Sequence, residues 1–204
     1  YYDEDCVGAG GDIIHFGVTN TVDGFVESLV LQGDSLIVGK LLGKEPTGIY
    51  FVAKDLAWLP MRKIADIVNP LAFAGFSRAQ HNPGDVVHYV LKAATMISMV
   101  AFPVFLGLSS ISKELVSVVL GEKWLEVIEP ITILAPFGAL MMLGLSLEPA
   151  VKGIGLPIFN LYYRILTLVF LVIGIVIGSG WGLFGVVVGV AAAFALAFFA
   201  QLVI

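Results

Sequence analysis

Cysteine is nearly absent from this chain, which has one, Cys6, among 204 residues. A single cysteine excludes an internal disulfide and argues against a cysteine metal cluster. Charged residues are also scarce, at 13% of the chain, and no stripe of Lys or Arg is present. We therefore expect no nucleic-acid partner, because nucleic-acid binding needs a basic surface.

The common catalytic signatures are missing as well. The chain contains no G-x-x-x-x-G-K-[ST] nucleotide loop, and no H-E-x-x-H, C-x-x-C or G-x-S-x-G motif. We therefore expect neither ATP hydrolysis nor another enzyme activity, and no resident cofactor or metal.

Hydrophobic residues make up 58% of the chain, and its mean hydropathy is +0.97. A soluble domain has roughly 45–50% apolar residues. In lipid a helix satisfies its own backbone hydrogen bonds, so long apolar stretches predict helices. The composition therefore predicts an all-α, multi-pass transmembrane helix bundle.

About six stretches are long enough to cross the ~30 Å hydrocarbon layer of a bilayer. The polar, Gly-rich residues 1–14 predict a loop, and residues 111–121 predict a short amphipathic helix on the membrane surface. Because both ends of the chain look cut, we expect a piece of a longer transporter. The predicted spanning helices cover residues 15–41, 48–72, 85–108, 127–152, 158–177 and 183–204.

The first two predicted helices carry charges at membrane depth, where each costs about 2.5–3.5 kcal/mol. Asp23, Glu27 and Asp34 are spaced along one face of the first helix. If the two helices pack antiparallel about residues 43–47, Asp34 comes level with Lys54. Glu27 would then come level with Arg62 and with its neighbour Lys63. Opposite charges at matched depths would lower the cost of desolvation.

These charges have two interpretations, which the sequence leaves open. They line a path for a polar substrate or an ion, or they only brace helices inside a bundle. Farther along, Arg78 is either a cytoplasmic anchor or a contact for a lipid phosphate. We expect Arg164, beside Tyr162 and Tyr163, to reach the membrane surface from a helix end. The candidate path residues are Glu27, Asp34, Lys54, Asp55, Arg62, Lys63, Asp66 and Arg78.

Several phrases occur together and in a fixed order from Phe16 to Ile204. They are DSLIVGKLLGKEPTGIY, LAWLPMRKIADIVNPLAFAGFSRAQHNPGD, ELVSVVLGEKWLEVIEPITILAPFGAL and LEPAVKGIGLP. In this combination the chain resembles the Wzx-type flippases of the MATE-like superfamily, which serve polysaccharide biosynthesis and export.

The resemblance implies one lobe of a two-lobed transporter, with the preceding lobe as its partner. It implies transport of an oligosaccharide linked to undecaprenyl pyrophosphate across a bacterial inner membrane, in contact with membrane lipids. Lys54, Arg62 and Lys63 would attract the pyrophosphate. Asp34, Asp55 and Asp66 would hold those cations, or bind a coupling proton or sodium ion.

Two other functions remain open from the sequence. A cation-coupled drug exporter of the same superfamily would have a more apolar, aromatic cavity with a lone acidic residue. A non-transporting membrane scaffold would pair all its charges internally. An enzyme such as a membrane glycosyltransferase ranks third, since no paired carboxylates lie in a sizeable loop.

Overall fold

A computed structural model describes the backbone of residues 4–79, 83–153 and 157–203, and the side chains of residues 17–19, 21–64, 91–144 and 158–201. Every regular element in these ranges is a helix, so the predicted all-α bundle is confirmed. The helices are α1 (Glu4–Leu42), α2 (Lys44–Ala79), α3 (Pro83–Ser110), α4 (Ser112–Val119), α5 (Ile128–Gly153), α6 (Pro157–Gly178) and α7 (Gly182–Val203).

Helix α1 begins at Glu4, so the loop predicted over residues 1–14 is wrong for most of that segment. The polar, Gly-rich sequence is a poor helix former. Once a helix has nucleated, however, each further residue adds a hydrogen bond at little cost, so the helix extends through such a segment.

Glycines with a left-handed backbone end three of the helical segments. Gly43 has φ +85° and separates α1 from α2, and its N–H donates to the carbonyl of Gly39 at 3.2 Å. Gly121 (φ +84°) terminates α4, and Gly182 (φ +71°) ends the 3₁₀ turn Ser179–Trp181 at the point where α7 begins. A residue with a Cβ is strained in this conformation, and glycine is not. The turn at Gly43 lets α1 and α2 fold back on each other as a hairpin.

Three segments of the described chain are long and apolar enough to cross a membrane: Leu91–Ser110, Glu122–Gly144 and Ile158–Gln201. The last one contains both α6 and α7, which fold back on each other through the short 3₁₀ turn Ser179–Trp181. Helices α1 and α2 have 39 and 36 residues, well beyond the ~20 that a span needs. These two helices are not among the three apolar segments because they carry several charged residues.

One hydrophobic core joins the long helices. Its fully buried side chains include Val38 from α1, Tyr50 from α2, Phe105 from α3, Leu134 from α5 and Leu171 from α6. Helix α6 packs against α1 on one side and α7 on the other, while α5 contacts α2, α3 and α7. This arrangement places the exposed side of the α1–α2 hairpin away from α5 and α6.

Helix α4 lies within residues 111–121, where the sequence predicts a short amphipathic helix. Val116 packs against Ala53 and Val127, whereas Val118 is 85% exposed. The hydroxyls of Ser112 and Thr132 lie 2.8 Å apart and tie α4 to α5. The helix therefore stays attached to the bundle while leaving apolar side chains uncovered.

The α6–α7 hairpin depends on glycines that let the two backbones touch. A Cβ at Gly189 would lie 2.2 Å from the carbonyl oxygen of Gly174, and a Cβ at Gly178 would lie 2.2 Å from that of Gly185. Small residues at helix crossings allow such close packing in membranes. Gly185 and Gly189 of the last helix are two of the residues that make this close contact.

We predict that Gly189→Ala destabilises the protein by about 1–3 kcal/mol, because the methyl group meets backbone that cannot yield easily. The measurement is the thermal unfolding midpoint of the purified protein in detergent. Gly107→Ala on α3 is the matched control, since a Cβ there has no atom within 4 Å. Equal midpoints for the two variants would contradict the close-contact explanation.

Candidate functional site

The α1–α2 hairpin buries an ion pair in the bundle interior. The Lys54 ammonium pairs with the Asp34 carboxylate, and both side chains are buried. Lys54 also donates to the carbonyl of Leu31 at 2.6 Å, and the Tyr50 hydroxyl donates to Asp34 Oδ2 at 2.6 Å. The predicted pairing of Asp34 with Lys54 is confirmed. A carboxylate with several donors satisfies the condition under which a buried charge is tolerated.

Aromatic rings complete the surroundings of the lysine. Its Nζ lies 4.6 Å from the centre of the Trp58 ring, a distance at which the ring face attracts a cation. The Trp58 ring in turn meets Phe194 of α7 edge to face, with centroids 5.2 Å apart. The pair is thus closed off by protein and ties α1, α2 and α7 together. This geometry fits a bracing role better than direct contact with a substrate.

A second charged cluster lies between α1 and α6. Arg164 Nε lies 2.8 Å from Asp23 Oδ1, and Arg164 Nη2 lies 3.3 Å from Glu27 Oε2. The predicted match of Glu27 with Arg62 is therefore wrong, and so is the surface position expected for Arg164. The hairpin register alone could not show that α6 packs beside α1 and supplies a closer cation.

Helix α2 carries a second ion pair on its exposed side. Arg62 Nη2 lies 2.7 Å from Asp55 Oδ1 and donates to the backbone carbonyl of Asp55 at 3.0 Å. The two side chains are 50% and 46% exposed, and Lys63 is exposed as well. Phe51 and Leu59 flank the pair with their side chains uncovered. This pair is open to whatever borders the hairpin.

Helix α1 has an exposed polar stripe. Thr21, Gly24, Ser28 and Gln32 are exposed and follow one another at intervals of three or four residues, which places them on one helical face. The Thr21 and Ser28 hydroxyls donate to backbone carbonyls one turn earlier, at 2.9 and 3.0 Å. Such bonds satisfy a hydroxyl inside a helix and leave its oxygen able to accept.

The polar stripe of α1 and the ion pair of α2 lie on the same side of the hairpin. Asp34 and Lys54 point at each other. At about 100° per residue, the stripe residues are turned by about 80–160° from Asp34, and Asp55 and Arg62 are turned in the same sense by about 80–100° from Lys54. Because the helices are antiparallel, this turn leads to the same side. We call this surface the hairpin face. It consists of Thr21, Gly24, Ser28 and Gln32 of α1 and of Asp55 and Arg62 of α2, with Lys63 exposed next to Arg62 in the sequence.

Two predicted path residues lie outside the described side chains, namely Asp66 and Arg78. The structure therefore divides the other six candidates among three places. Asp34 and Lys54 are inside the bundle, and Glu27 is in the cluster with Arg164. Asp55, Arg62 and Lys63 have exposed or half-exposed side chains on α2. Among the described residues, no group of three or more His, Cys, Asp or Glu side chains could hold a metal ion.

The contact between Asp23 and Arg164, and the burial of Asn160, were not predicted from the sequence. Asn160 and Arg164 are four residues apart on α6, and both are buried, at 4% and 7% exposure. An arginine and an asparagine on one face of an otherwise apolar helix are a signal for an intramembrane polar contact. Only the structure shows that α1 is the helix that pairs with Arg164.

Comparison with known proteins decides the family. Residues 8–129, more than half of the chain, match the family described as "Polysaccharide biosynthesis protein". The chain belongs to this family. Its resemblance to Wzx-type flippases is thereby confirmed, and the chain is a multi-pass protein of the bacterial inner membrane.

Curated relatives carry corresponding names. The chain is 31% identical to the teichuronic acid biosynthesis protein TuaB of Bacillus subtilis over 132 residues, which are 65% of this chain and 27% of that protein. It is 27% identical to the amylovoran biosynthesis protein AmsL of Erwinia amylovora over 168 residues, 82% of this chain and 43% of AmsL.

A third relative is the lipopolysaccharide biosynthesis protein WzxC of Escherichia coli, at 26% identity over 186 residues. That match covers 86% of this chain and 36% of WzxC. The chain thus spans less than half the length of these relatives. No solved structure matches the chain.

We predict that Lys54→Met destabilises the protein by about 3–5 kcal/mol, because it leaves the Asp34 carboxylate buried without its cation. The measurement is chemical or thermal unfolding in detergent. Lys63→Met on the same helix is the control and should change stability by less than about 1 kcal/mol, since the Lys63 side chain is exposed.

The double variant Asp34→Asn/Lys54→Met should recover much of that loss, because no unpaired charge remains. A double variant as unstable as Lys54→Met alone would show that the loss does not come from the stranded carboxylate.

Proposed function

We propose that the chain forms one lobe of a Wzx-type flippase. The flippase would move an oligosaccharide, linked to undecaprenyl pyrophosphate, from the inner to the outer leaflet of the bacterial inner membrane for surface polysaccharide synthesis. Family membership supports the polysaccharide pathway. The observation that carries the transport function is the charged hairpin face.

The depth of the hairpin face in the membrane is the first support for this proposal. Asp55 lies eleven residues into α2, or about 17 Å along its axis. This is near the middle of a ~30 Å hydrocarbon layer if α2 enters the layer at its first turn. A half-exposed charged pair facing lipid tails there would cost several kcal/mol. The hairpin face therefore borders a water-filled cavity between this lobe and the partner lobe that the resemblance implies.

The chemistry of the face suits an anionic, sugar-bearing substrate. An arginine guanidinium binds phosphate oxygens through two parallel hydrogen bonds, and Lys63 adds a second cation beside it. Asp55 holds the Arg62 guanidinium in place until a pyrophosphate displaces it. On α1, the Ser28 hydroxyl and the Gln32 amide supply hydrogen-bonding groups for sugar hydroxyls.

The remaining candidates have supporting roles in this proposal. Asp34 and Lys54 keep the two helices in register, and Glu27 belongs to the cluster beside α6. Asp66 and Arg78, whose side chains lie outside the described residues, remain candidates for the same path from their sequence positions alone. Apart from a coupling proton or sodium ion held by acidic side chains, the mechanism needs no cofactor, because alternating exposure of a binding face is enough to move the substrate.

We predict that Arg62→Glu abolishes export of surface polysaccharide at normal protein levels, because it replaces the phosphate-binding group with a repelling one. Arg62→Lys should retain part of the activity, since it keeps the charge but loses the two-pronged geometry. The measurement is surface polysaccharide in cells, with membrane protein quantified in parallel.

Lys113→Glu on α4 is the matched charge reversal away from the hairpin face, and it should leave export unchanged. Normal export by Arg62→Glu would rule out the role of Arg62. Normal polysaccharide together with lost resistance to drugs would favour the drug exporter.

Thiol labelling tests whether the hairpin face is wet. After Cys6 is replaced by Ser, a cysteine at position 55 or 62 should react with a membrane-impermeant maleimide in intact vesicles. A cysteine at position 99 should not react, although Met99 is 74% exposed, because its neighbours on α3 are apolar and face lipid. Labelling at neither 55 nor 62 would favour the scaffold, in which these sites are dry.

A further inference from the structure

Helices α6 and α7 form a groove on the exposed side of their hairpin. It has a volume of about 520 Å³ and is lined by apolar side chains and glycines. One wall includes Ile173 and Ile177 of α6, and the other includes Phe184 and Leu196 of α7. Each of these four side chains is at least half exposed. We call this cavity the α6–α7 groove.

Glycines form the floor of the groove, because the two backbones touch there. Gly174 and Gly178 of α6 and Gly185 and Gly189 of α7 line it and have no side chain to fill it. A Cβ on any of them would collide with a carbonyl oxygen of the other helix. The depth of the groove is therefore fixed by backbone packing.

The groove lies inside the membrane. It is part of the apolar segment Ile158–Gln201, and one end is at Trp181, in the turn between the two helices. Trp181 is 72% exposed, and tryptophan is typical of the boundary between lipid and water. Along α7, from Phe184 to Leu196, the groove is about 18 Å long. It therefore crosses about one leaflet of a ~30 Å hydrocarbon layer.

The groove is too narrow for a helix. Over its length, a volume of about 520 Å³ gives a mean cross-section of about 30 Å², which is about 5–6 Å in width. A helix with its side chains is about 10–12 Å wide. Carbon atoms in contact lie about 4 Å apart, so a single hydrocarbon chain fits. The occupant is therefore a lipid chain and not a helix from a second copy of this protein.

The groove offers no partner for the headgroup of a phospholipid. From Ile165 to Gln201, neither helix carries a charged residue. The Ser179 hydroxyl at the turn already donates to the carbonyl of Val176 at 2.7 Å. The occupant is thus a stretch of hydrocarbon whose polar head lies elsewhere.

A polyprenyl chain has the right shape for this floor. It carries one methyl branch per isoprene unit, which is about every 5 Å at carbon–carbon bond lengths near 1.5 Å. On each helix the floor glycines are four residues apart, or about 6 Å. The gaps above the glycines therefore recur at nearly the spacing of the methyl branches.

The length of such a chain allows one substrate to reach two surfaces of this lobe. Packed helix axes lie about 8–10 Å apart, so the groove is about 20 Å from the hairpin face, across α6 and α1. An undecaprenyl chain has eleven isoprene units and extends to about 55 Å at the same repeat. The pyrophosphate can therefore lie on the hairpin face while part of the chain lies in the groove.

We propose that the α6–α7 groove binds the polyprenyl chain of the lipid-linked substrate. The proposal rests on the proposed flippase function, and it names the part of the substrate that this lobe holds within the lipid. A chain held there keeps the substrate beside the transporter while its polar head crosses the membrane.

Photo-crosslinking tests the groove without transport. The protein is reconstituted in phospholipid vesicles that contain undecaprenyl phosphate with a diazirine in its chain, and adducts are located by mass spectrometry. Phosphatidylglycerol with a diazirine in one acyl chain is the comparison probe, at the same mole fraction. We expect the polyprenyl probe to label groove residues such as Ile177 and Val188 more strongly than the phospholipid probe does. Equal labelling of the groove by both probes, or equal labelling of the groove and of Met99 on α3 by the polyprenyl probe, overturns the proposal.

A variant that fills the groove provides a second test. Ala192 lines the groove on α7 with an exposed side chain, so Ala192→Phe places a ring inside it. Groove labelling by the polyprenyl probe should fall by about tenfold, since losing the burial of two methylene groups already weakens binding by that factor. Val176→Phe puts the same ring on α6 outside the groove, where Val176 is 52% exposed, and should keep the labelling. Unchanged labelling in folded Ala192→Phe contradicts the proposal, and if this variant does not fold, the adducts of the wild-type protein decide.

A transport assay separates this proposal from the flippase function. If the wild-type protein moves no lipid-linked oligosaccharide but its groove is labelled as expected, the flippase function fails and the groove remains a polyprenyl site. If transport occurs and the groove is not labelled, the polyprenyl site alone is wrong.

Discussion

The high cost of an unpaired charge in a low-dielectric bundle governs this structure. Isolated charges are expelled from such an interior, so the ones that remain must find partners or water. The described charges at depth in α1, α2 and α6 solve this problem in three ways. Asp34 and Lys54 pair in the interior, Asp23 and Arg164 pair between α1 and α6, and Asp55 and Arg62 pair on an open surface.

These ion pairs connect the helices in different ways. The interior pair is closed by Tyr50 and Trp58, so α1 and α2 are held as one hairpin. Gly174 and Gly189 bring α6 and α7 into backbone contact, which forms a second hairpin. Asp23 and Glu27 of α1 contact Arg164 of α6, so the two hairpins are joined by charged side chains as well as by apolar packing.

The distribution of exposed polar groups also separates this lobe into two sides. The exposed surfaces of α3 and α6 are largely apolar, with side chains such as Met99 and Ile173 uncovered, as lipid contact requires. The hairpin face breaks this pattern with an ion pair, hydroxyls and an amide. Because an exposed apolar surface and an exposed charged surface need different neighbours, one side faces lipid and the other faces water or protein.

Much of this architecture follows from the sequence. Long apolar stretches determine helices because no other backbone can cross lipid unaided, and the predicted helix ends fall within a few residues of the observed ones for α3, α5, α6 and α7. Short-range arithmetic about Gly43 was enough to pair Asp34 with Lys54, since a hairpin register depends on its turn alone. The other ion pairs depend on the packing of α6 beside α1. That contact joins residues more than a hundred positions apart, so only the tertiary structure shows that Asp23 and Glu27 pair with Arg164. Arg62 then pairs with Asp55 on the open face.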